Sequence, residues 1–504
     1  MVSAEAAPLA QTGGLADVLR ALPRALARRG HRVRVFLPAY GAIDRRPFRS
    51  EPDEDHLAVP VGVGRVPVRL LSRTTVDDVR LTLVQSEEMF ARAGFYGPPG
   101  GDAPDNARRF ATLAATAVTL AARAARTPDV LHAHDWHAAL VPLLARLAVA
   151  WRGRRPATVQ TIHNMGYQGH FGWEEIAWVA PPGPVRDHVF RTEGIEYRGG
   201  INYLKAALLY ADRITAVSPR YAWEVTTREG GFGLHDVAWR RGADLVGILN
   251  GADYEHWDPA RDPHIPEHYD AVTLERKQAS RRALRAAFGL AAAAPAAAAA
   301  RTAPAASTRL NAAAVPALDR PVLGVVSRLV DQKGIDVLLE ASPMLMRAGC
   351  DLVVLGSGDR RIVDGLENLR RIHPDRVGVY IGFNEPLSHL VVAGSDLLLV
   401  PSRYEPCGLV QMHAMRYGTL PVVHRTGGLA DTVRDADEHD GRGTGFVFDR
   451  IDAASLAHAV HRAMILRARE PGAWRAMQQR AMAEDFSWER AAAGYESLYA
   501  GIVA

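Results

Sequence analysis

The hexapeptide Thr-Gly-Gly-Leu-Ala-Asp occurs twice in this chain, at Thr12–Asp17 near one end and at Thr426–Asp431 near the other. The first copy runs into an amphipathic helix pattern carried by Leu19, Leu22, Ala25 and Leu26. A Thr followed by paired glycines and then a helix suits close approach of backbone N–H groups to an anion at a helix N-terminus. A single copy reads equally well as a strand-to-helix turn that takes glycine for its geometry. Two copies point to two similar nucleotide-fold halves facing one ligand, and that is the strongest constraint on what the chain can fold into.

Length agrees with two large domains. At 504 residues the chain exceeds one ordinary core, since domains average roughly 150 residues. Strand candidates alternate with helical stretches in the first half: Val33 to Leu37, Val79 to Val84, Val130 to His134, Thr158 to Ile162, Ile214 to Val217 and Leu245 to Leu249. The alternation restarts with Val322 to Val326, Leu352 to Leu355, Val377 to Ile381, Leu397 to Val400 and Pro421 to Val423. This is the pattern of mostly parallel sheets in α/β, doubly wound domains.

The break between the halves is expected at the turn-rich Asn250-Gly251-Ala252-Asp253, giving domains 1–249 and 250–480. Residues 291–317 are dominated by Ala with scattered Pro and offer little large apolar surface; they read as a flexible insertion, or as a partly helical one. The closing segment Trp474 to Tyr499 is helical in pattern, so residues 481–504 are expected to form a helix bracing one domain on the other. At the start, only Val2 of Met1 to Glu5 is clearly apolar, so the strand expected before the first glycine turn looks clipped or the start looks late.

Charge and cysteine content exclude several classes. The net charge of +4, from 60 Lys and Arg against 56 Asp and Glu, is small for this length and gives no reason to expect nucleic acid. Cys350 and Cys407 are the two cysteines and are far apart, which argues against a disulfide framework or a zinc cluster and suits a reducing cytoplasm. The apolar window Phe110 to Ala122 falls well short of the ~20 residues of a spanning helix and reads as a buried helix. No membrane partner and no secretory signal are expected.

The densest constellation lies between Pro401 and Val433. Asp396 to Val400 reads as a buried strand, and the polar, glycine-bearing stretch Arg403-Tyr404-Glu405-Pro406-Cys407-Gly408-Leu409 then falls at its carboxyl end, where ligands bind in open α/β sheets. Glu405 also suits a carboxylate interacting with a helix N-terminus. Arg328 and Lys333 follow the first strand of the second half; two such cations match a diphosphate, or a solvated loop. Gly356-Ser357-Gly358-Asp359 reads mainly as a turn. Phe383, just beyond its strand, suits either stacking on a base or core packing. In the first half, His132-Ala133-His134-Asp135-Trp136-His137 and Thr161-Ile162-His163-Asn164 close successive strands. Strand alternation puts His132 and His134 on one face without an assured third ligand, so a pocket for a hydroxyl-rich ligand is expected there and metal is not.

Together, Thr12 to Val18, His134 to His137, Thr161 to Gln168, Lys205 to Pro219, Leu249 to Asp253, Val326 to Gly334, Tyr404 to Leu409 and Tyr417 to Val433 resemble bacterial glycogen synthase, of the starch-synthase family of retaining glycosyltransferases. The motifs fall in family order and span essentially the whole chain outside the Ala-rich insertion. The resemblance implies a GT-B fold of two Rossmann-like, doubly wound domains facing a central cleft. It implies ADP-glucose as donor, held mostly by the C-terminal domain, and glycogen or another α-1,4-glucan as acceptor, held mostly by the N-terminal domain, with no cofactor and no metal.

By the same resemblance, Arg328 and Lys333 would neutralise the departing diphosphate and Glu405 would hydrogen-bond the glucose hydroxyls. Backbone amides of Cys407, Gly408 and Leu409 and of Thr426, Gly427 and Gly428 would hold ribose, sugar or phosphate, with Phe383 stacked on adenine. His163 would lie beside the anomeric carbon, and Asp135 and Asn250 would line the same cleft. Thr12, Gly13 and Gly14 would approach the donor phosphates. The implied enzyme is a hexosyltransferase, an ADP-glucose:α-1,4-glucan glucosyltransferase acting through an oxocarbenium-like state without a covalent nucleophile. One position departs from the family pattern: the Lys that precedes the glycine turn and reaches the donor phosphates is here Gln11. A neutral amide in its place, with the shortened start, motivates a second reading, a catalytically weakened glucan-binding homologue; a third is a related transferase using UDP-glucose or making another oligosaccharide.

Overall fold

The computed structural model describes residues 1–50, 56–92, 94–98, 101–148, 151–290, 320–438 and 441–503. The Ala-rich insertion at 291–317 lies outside the described residues. The chain divides into two compact units, Met1–Gly251 with Ser487–Ala504, and Ala252–Phe486.

In the first unit, parallel strands Arg34–Pro38 and Arg80–Gln85 pair with each other, as do Val130–His134, Ala157–Ile162, Arg213–Ala216 and Leu245–Gly247 in that order. Val2 pairs in parallel with both Phe36 and Ala133 and joins the two runs; its N–H donates to the His132 carbonyl at 2.8 Å. The short start of the chain is thus the central strand of the sheet. The order places the third strand, the second, the first and then the fourth, so the direction of winding reverses between Val2 and Val130–His134, the switch point at which such sheets bind ligands. The helix Gly14–Arg28 follows the first glycine turn and buries Leu15, Val18, Leu19, Leu22 and Leu26. Phe110 to Ala122 falls within the helix Asn106–Arg123, whose face from Phe110 to Val118 is buried throughout.

Two features of this unit were not anticipated. Leu57–Val61 and Gly64–Thr74 form an antiparallel ribbon that extends the sheet from Arg80–Gln85. Its strands alternate buried and exposed residues, a short-period signal that the search for long buried runs passes over. A second small sheet comprises His170–Gly172, Glu196–Tyr197 and Gly200–Asn202.

The second unit repeats the plan with six parallel strands in the order Val377–Ile381, Asp351–Gly356, Val322–Val326, Leu397–Val400, Leu420–His424 and Phe446–Phe448. Its core gathers Val322, Val353 and Leu355 from the sheet with Leu284, Leu290 and Val391 from the covering segments. Phe446–Phe448 was not anticipated, since three residues give no periodicity to read.

The division falls at Gly251/Ala252 and Phe486/Ser487, where the sequence placed it at 249/250 and 480/481. The segment read as one helix from Trp474 to Tyr499 is two, Pro471–Ala483 and Trp488–Val503. Between them Phe486 is buried, its N–H donates to the Tyr254 hydroxyl at 3.1 Å and its carbonyl accepts from Ala252 at 2.6 Å. Extended backbone paired in this way cannot continue a helix. The final helix belongs to the first unit, where Glu496 pairs with Arg29 and His31 beside the first helix.

Candidate active site

At the carboxyl end of the first unit's central strand, Glu5 is buried and faces the glycine turn. Its carboxylate accepts from the Thr12 N–H at 2.7 Å, the Thr12 hydroxyl at 2.5 Å and the Gly13 N–H at 3.4 Å, and from the Tyr96 hydroxyl. Burial and the Glu5 charge hold the Tyr96 phenol well above its ordinary range, so it stays a donor. The amides of Thr12 and Gly13, expected to meet phosphates, are therefore satisfied inside the protein. Gly13 and Gly14 have open space where a Cβ would stand. Gln11 is exposed and donates to Asp17 at 3.3 Å. Lys205 cannot substitute for a charge at Gln11, because its buried ammonium donates to the carbonyls of Thr192 and Glu196 at 2.7 and 2.5 Å.

Asp135 ends the strand Val130–His134 with φ +55°, a conformation that costs a non-glycine residue about 1–3 kcal/mol. The surrounding contacts hold it there: its carboxylate accepts from the N–H groups of His163 and Asn164 at 2.9 and 3.2 Å, and Gln160 donates to its carbonyl at 3.1 Å. Burial pushes the Asp135 carboxyl up to about 7, against the opposing pull of those two N–H groups. Burial likewise lowers His163 to about 3, so its ring is neutral at physiological pH; it lies 3.1 Å from His134. Asn250, after the last strand of the sheet, is buried, and its side-chain oxygen has no partner among the described residues.

The neighbouring imidazoles serve the scaffold. His132 bridges the Tyr499 hydroxyl and the Thr161 hydroxyl at 2.7 and 2.6 Å, tying the final helix to the sheet. His137 stacks on Tyr96 at 4.6 Å. Among the described residues, the group of three side chains able to share a metal is His256, Glu385 and His389 of the second unit, with none of these histidines in it.

In the second unit, Lys333 and Glu405 form an ion pair at 2.6 Å, and the Ser402 hydroxyl donates to the same carboxylate oxygen at 2.8 Å. Lys333 ends a short turn before the helix Ile335–Arg347, and Glu405 follows the strand Leu397–Val400. Arg328 is exposed and donates to Gln332 at 3.1 Å. Its loop is fastened to the Gly356–Asp359 turn by bonds from Leu329 to Ser357 and from Asp359 to Leu329, both 2.8 Å.

The second glycine turn lies against Glu405. A Cβ on Gly427, at φ +42°, would stand 2.0 Å from the Glu405 carbonyl oxygen, and one on Gly428 would stand 2.1 Å from that of Cys407. The Gly428 N–H donates to the Glu405 carbonyl at 3.0 Å and the Thr426 N–H to His424 at 2.9 Å. These two amides bond to backbone carbonyls at the turn. Cys407 is buried, while Gly408 and Leu409 are half-buried and lead into the helix Val410–Arg416. Phe383 is 83% exposed, which removes core packing as its role.

Sequence reasoning missed Glu5, whose only signal was a carboxylate seven residues before a Thr-Gly-Gly turn. It also missed the Ser402 and His132 partners, which become visible only once strands from distant segments are side by side.

The starch synthase catalytic domain family matches residues 1–240, and the glycosyl transferases group 1 family matches residues 308–478. The chain is 41% identical to glycogen synthase 2 of Geobacter sulfurreducens, over 99% of this chain and 97% of the relative. It is 43% identical to the glycogen synthase of Anaeromyxobacter dehalogenans strain 2CP-C, over 99% and 98%. The catalytic domain of starch synthase IV from Arabidopsis thaliana, solved with ADP and acarbose bound, superposes with a TM-score of 0.85 at 31% identity, covering 100% of this chain and 98% of that one.

Proposed function

The chain belongs to the starch-synthase family of glycosyltransferases, with the two Rossmann-like units of a GT-B enzyme, and from that premise we propose that it moves glucose from ADP-glucose to the non-reducing end of an α-1,4-glucan with retention of configuration. The activity is that of a glycogen synthase, as in its full-length relatives. The observation that carries the site assignment is the Lys333–Glu405 pair packed against the Gly427–Gly428 turn.

In this reading the second unit holds the donor. Glu405, already fixed by Lys333 and Ser402, accepts from glucose hydroxyls, and Lys333 with Arg328 stabilises charge as the diphosphate departs. Electrostatic stabilisation of that kind is usually the largest catalytic contribution. Phe383 offers its exposed ring to the adenine. In the first unit, neutral His163 and Asp135 are assigned to the reacting sugar, and Asn250 to a hydroxyl as donor or acceptor. A ring without charge beside a developing oxocarbenium ion avoids repulsion. The open space over Gly13 and Gly14 supports phosphate approach there, and Gln11 supplies only a hydrogen bond. No cofactor takes part. Two buried free cysteines support a reducing, cytoplasmic setting, and no helix among the described residues is long and apolar enough to cross a membrane.

The test is glucose incorporation into glycogen from ADP-glucose, with UDP-glucose in parallel and Gln11→Lys beside the wild type. Turnover with ADP-glucose well above UDP-glucose supports the reading. Turnover with UDP-glucose alone replaces the donor, and turnover that appears only in Gln11→Lys means that the wild-type chain binds glucan without extending it.

A further inference from the structure

His256, Glu385 and His389 place three ligand atoms within 4.8 Å of one another in the second unit. Glu385 and His389 are four residues apart on the helix Glu385–Gly394 and so share one face. The helix start is fixed by Asn384, whose side chain accepts from the Leu387 N–H at 3.0 Å. His256 comes from the segment just after the chain enters this unit, and its Nε2 lies 2.8 Å from a Glu385 oxygen.

His389 is the anchor. It is fully buried, its Nδ1 lies 2.8 Å from an Asp262 oxygen, and its Nε2 is buried with no hydrogen-bond partner among the described residues. Asp262 is itself fixed, accepting from the Tyr417 hydroxyl at 2.5 Å and the His264 N–H at 2.8 Å. The ring plane is set by Trp257, stacked at 3.7 Å with an interplanar angle of 10°. A carboxylate only accepts, so in the neutral ring Nδ1 donates and the Nε2 lone pair is left over. A carboxylate on one ring nitrogen and an unclaimed lone pair on the other is the arrangement that orients metal-binding histidines.

We propose that His389 Nε2, a Glu385 carboxylate oxygen and a His256 imidazole nitrogen bind one divalent ion of the zinc class. Two imidazoles and one carboxylate match zinc in type and leave further positions for water; an ion such as magnesium prefers an all-oxygen set. Bonds of about 2.0–2.2 Å require the donors to draw together. The groups that must move are the less buried ones, since the Glu385 side chain is 49% exposed and that of His256 31%, while His389 is held in place. The ion would replace the His256–Glu385 hydrogen bond and clip the entering segment to the helix that begins two residues after Phe383. No local pattern in the chain marks this cluster, because Glu385 and His389 lie far from His256 in sequence.

Tag-free full-length protein, stripped with a chelator, is titrated with Zn2+ by calorimetry and with Co2+ by visible spectroscopy, Mg2+ serving as the control. One equivalent of Zn2+ binds, Co2+ develops visible bands and Mg2+ gives no heat. The melting temperature rises by roughly 5 °C when Zn2+ stands about a hundredfold above its Kd. Glu385→Gln and His256→Gln each weaken Zn2+ binding by at least about tenfold and lose the Co2+ bands. Both change exposed or half-buried side chains, so circular dichroism stays that of the wild type. Absence of Zn2+ binding by the stripped wild type overturns the proposal, as does binding of undiminished strength in both variants, which places the ion on other histidines.

Discussion

The same six residues do different work in the two units. At Thr12–Asp17 the glycines stand in open space, and the amides of Thr12 and Gly13 fall on the carboxylate of Glu5. At Thr426–Asp431 the glycines are wedged against the backbone of Glu405 and Cys407, and the Gly428 amide falls on a carbonyl. The carboxylates differ in parallel. Glu405 and Asp135 are almost equally buried, yet Glu405 has Lys333 at 2.6 Å while the Asp135 carboxylate is met by the N–H groups of His163 and Asn164. The second unit neutralises its buried charge with a side chain; the first tolerates its own at an energetic cost. A shared sequence word therefore identifies a shared chain reversal, and the residues packed on it decide the chemistry.

Asp135→Asn tests that contrast with the largest expected effect. The folded carboxyl titrates at about 7, above its unfolded value of about 3.9. The folded state thus holds the proton more tightly, and this contribution is fully present below pH ~4 and lost as pH rises toward 7. Neutral Asn keeps an acceptor for His163 and Asn164 and tolerates positive φ. Urea unfolding at pH 8 should show the variant more stable by up to about 4 kcal/mol, with no gain at pH 4, while glucosyl transfer falls. A gain equal at both pH values would mean that Asp135 is not an unpaired charge.

Lys333→Ala runs the other way. Removing the cation strands Glu405 in a buried site, and breaking such a pair costs about 3 kcal/mol. Transfer should fall by at least about a hundredfold in kcat if the ammonium also stabilises the leaving diphosphate. Loss of stability with kcat intact would make the pair structural alone.

The glycine contrast comes next. Gly428→Ala drives a methyl into the Cys407 carbonyl and should destabilise by about 2 kcal/mol or more. Gly13→Ala meets nothing within 4 Å, and its φ of −168° is extended backbone open to any residue. It should cost under about 1 kcal/mol while raising the donor KM. Equal destabilisation in urea would erase the difference between the two turns.

Much of this architecture is legible before folding. Val130–His134, Val322–Val326, Val377–Ile381 and Leu397–Val400 match their sequence readings to the residue, because parallel strands, even Val377–Ile381 at the sheet edge, are largely apolar runs whose ends coincide with polar or glycine turns. The site residues were legible as positions at strand ends, since Lys333, Glu405, Asp135 and His163 follow such runs. Their partners were not. Glu5 reaches the Thr12 turn only because the chain at Val2 is inserted at the centre of the sheet, and the break at Phe486 depends on pairing with Ala252 and Tyr254, more than two hundred residues earlier. Local pattern contains no record of such pairings. The partners of the Gly13 and Gly428 amides, the Glu5 carboxylate and the Glu405 carbonyl, are equally hidden in the sequence: a free N–H and a satisfied one have the same sequence.

Phe383 gives the smallest effect on stability and the sharpest separation of roles. Its ring is 83% exposed and follows Gly382, whose φ of +140° turns the chain away from the strand Val377–Ile381. Replacing an exposed ring should change folding stability by less than about 0.5 kcal/mol. A base stacked on it, however, would contribute about 1–3 kcal/mol, so Phe383→Ala should raise the KM for ADP-glucose by about tenfold or more at unchanged kcat. The glucan KM should stay where it is, because in the proposed division of labour the second unit holds the nucleotide and the first holds the acceptor. A rise in the glucan KM with no change for the donor would exchange those assignments, and the carboxylate paired with a cation would then belong to the acceptor side.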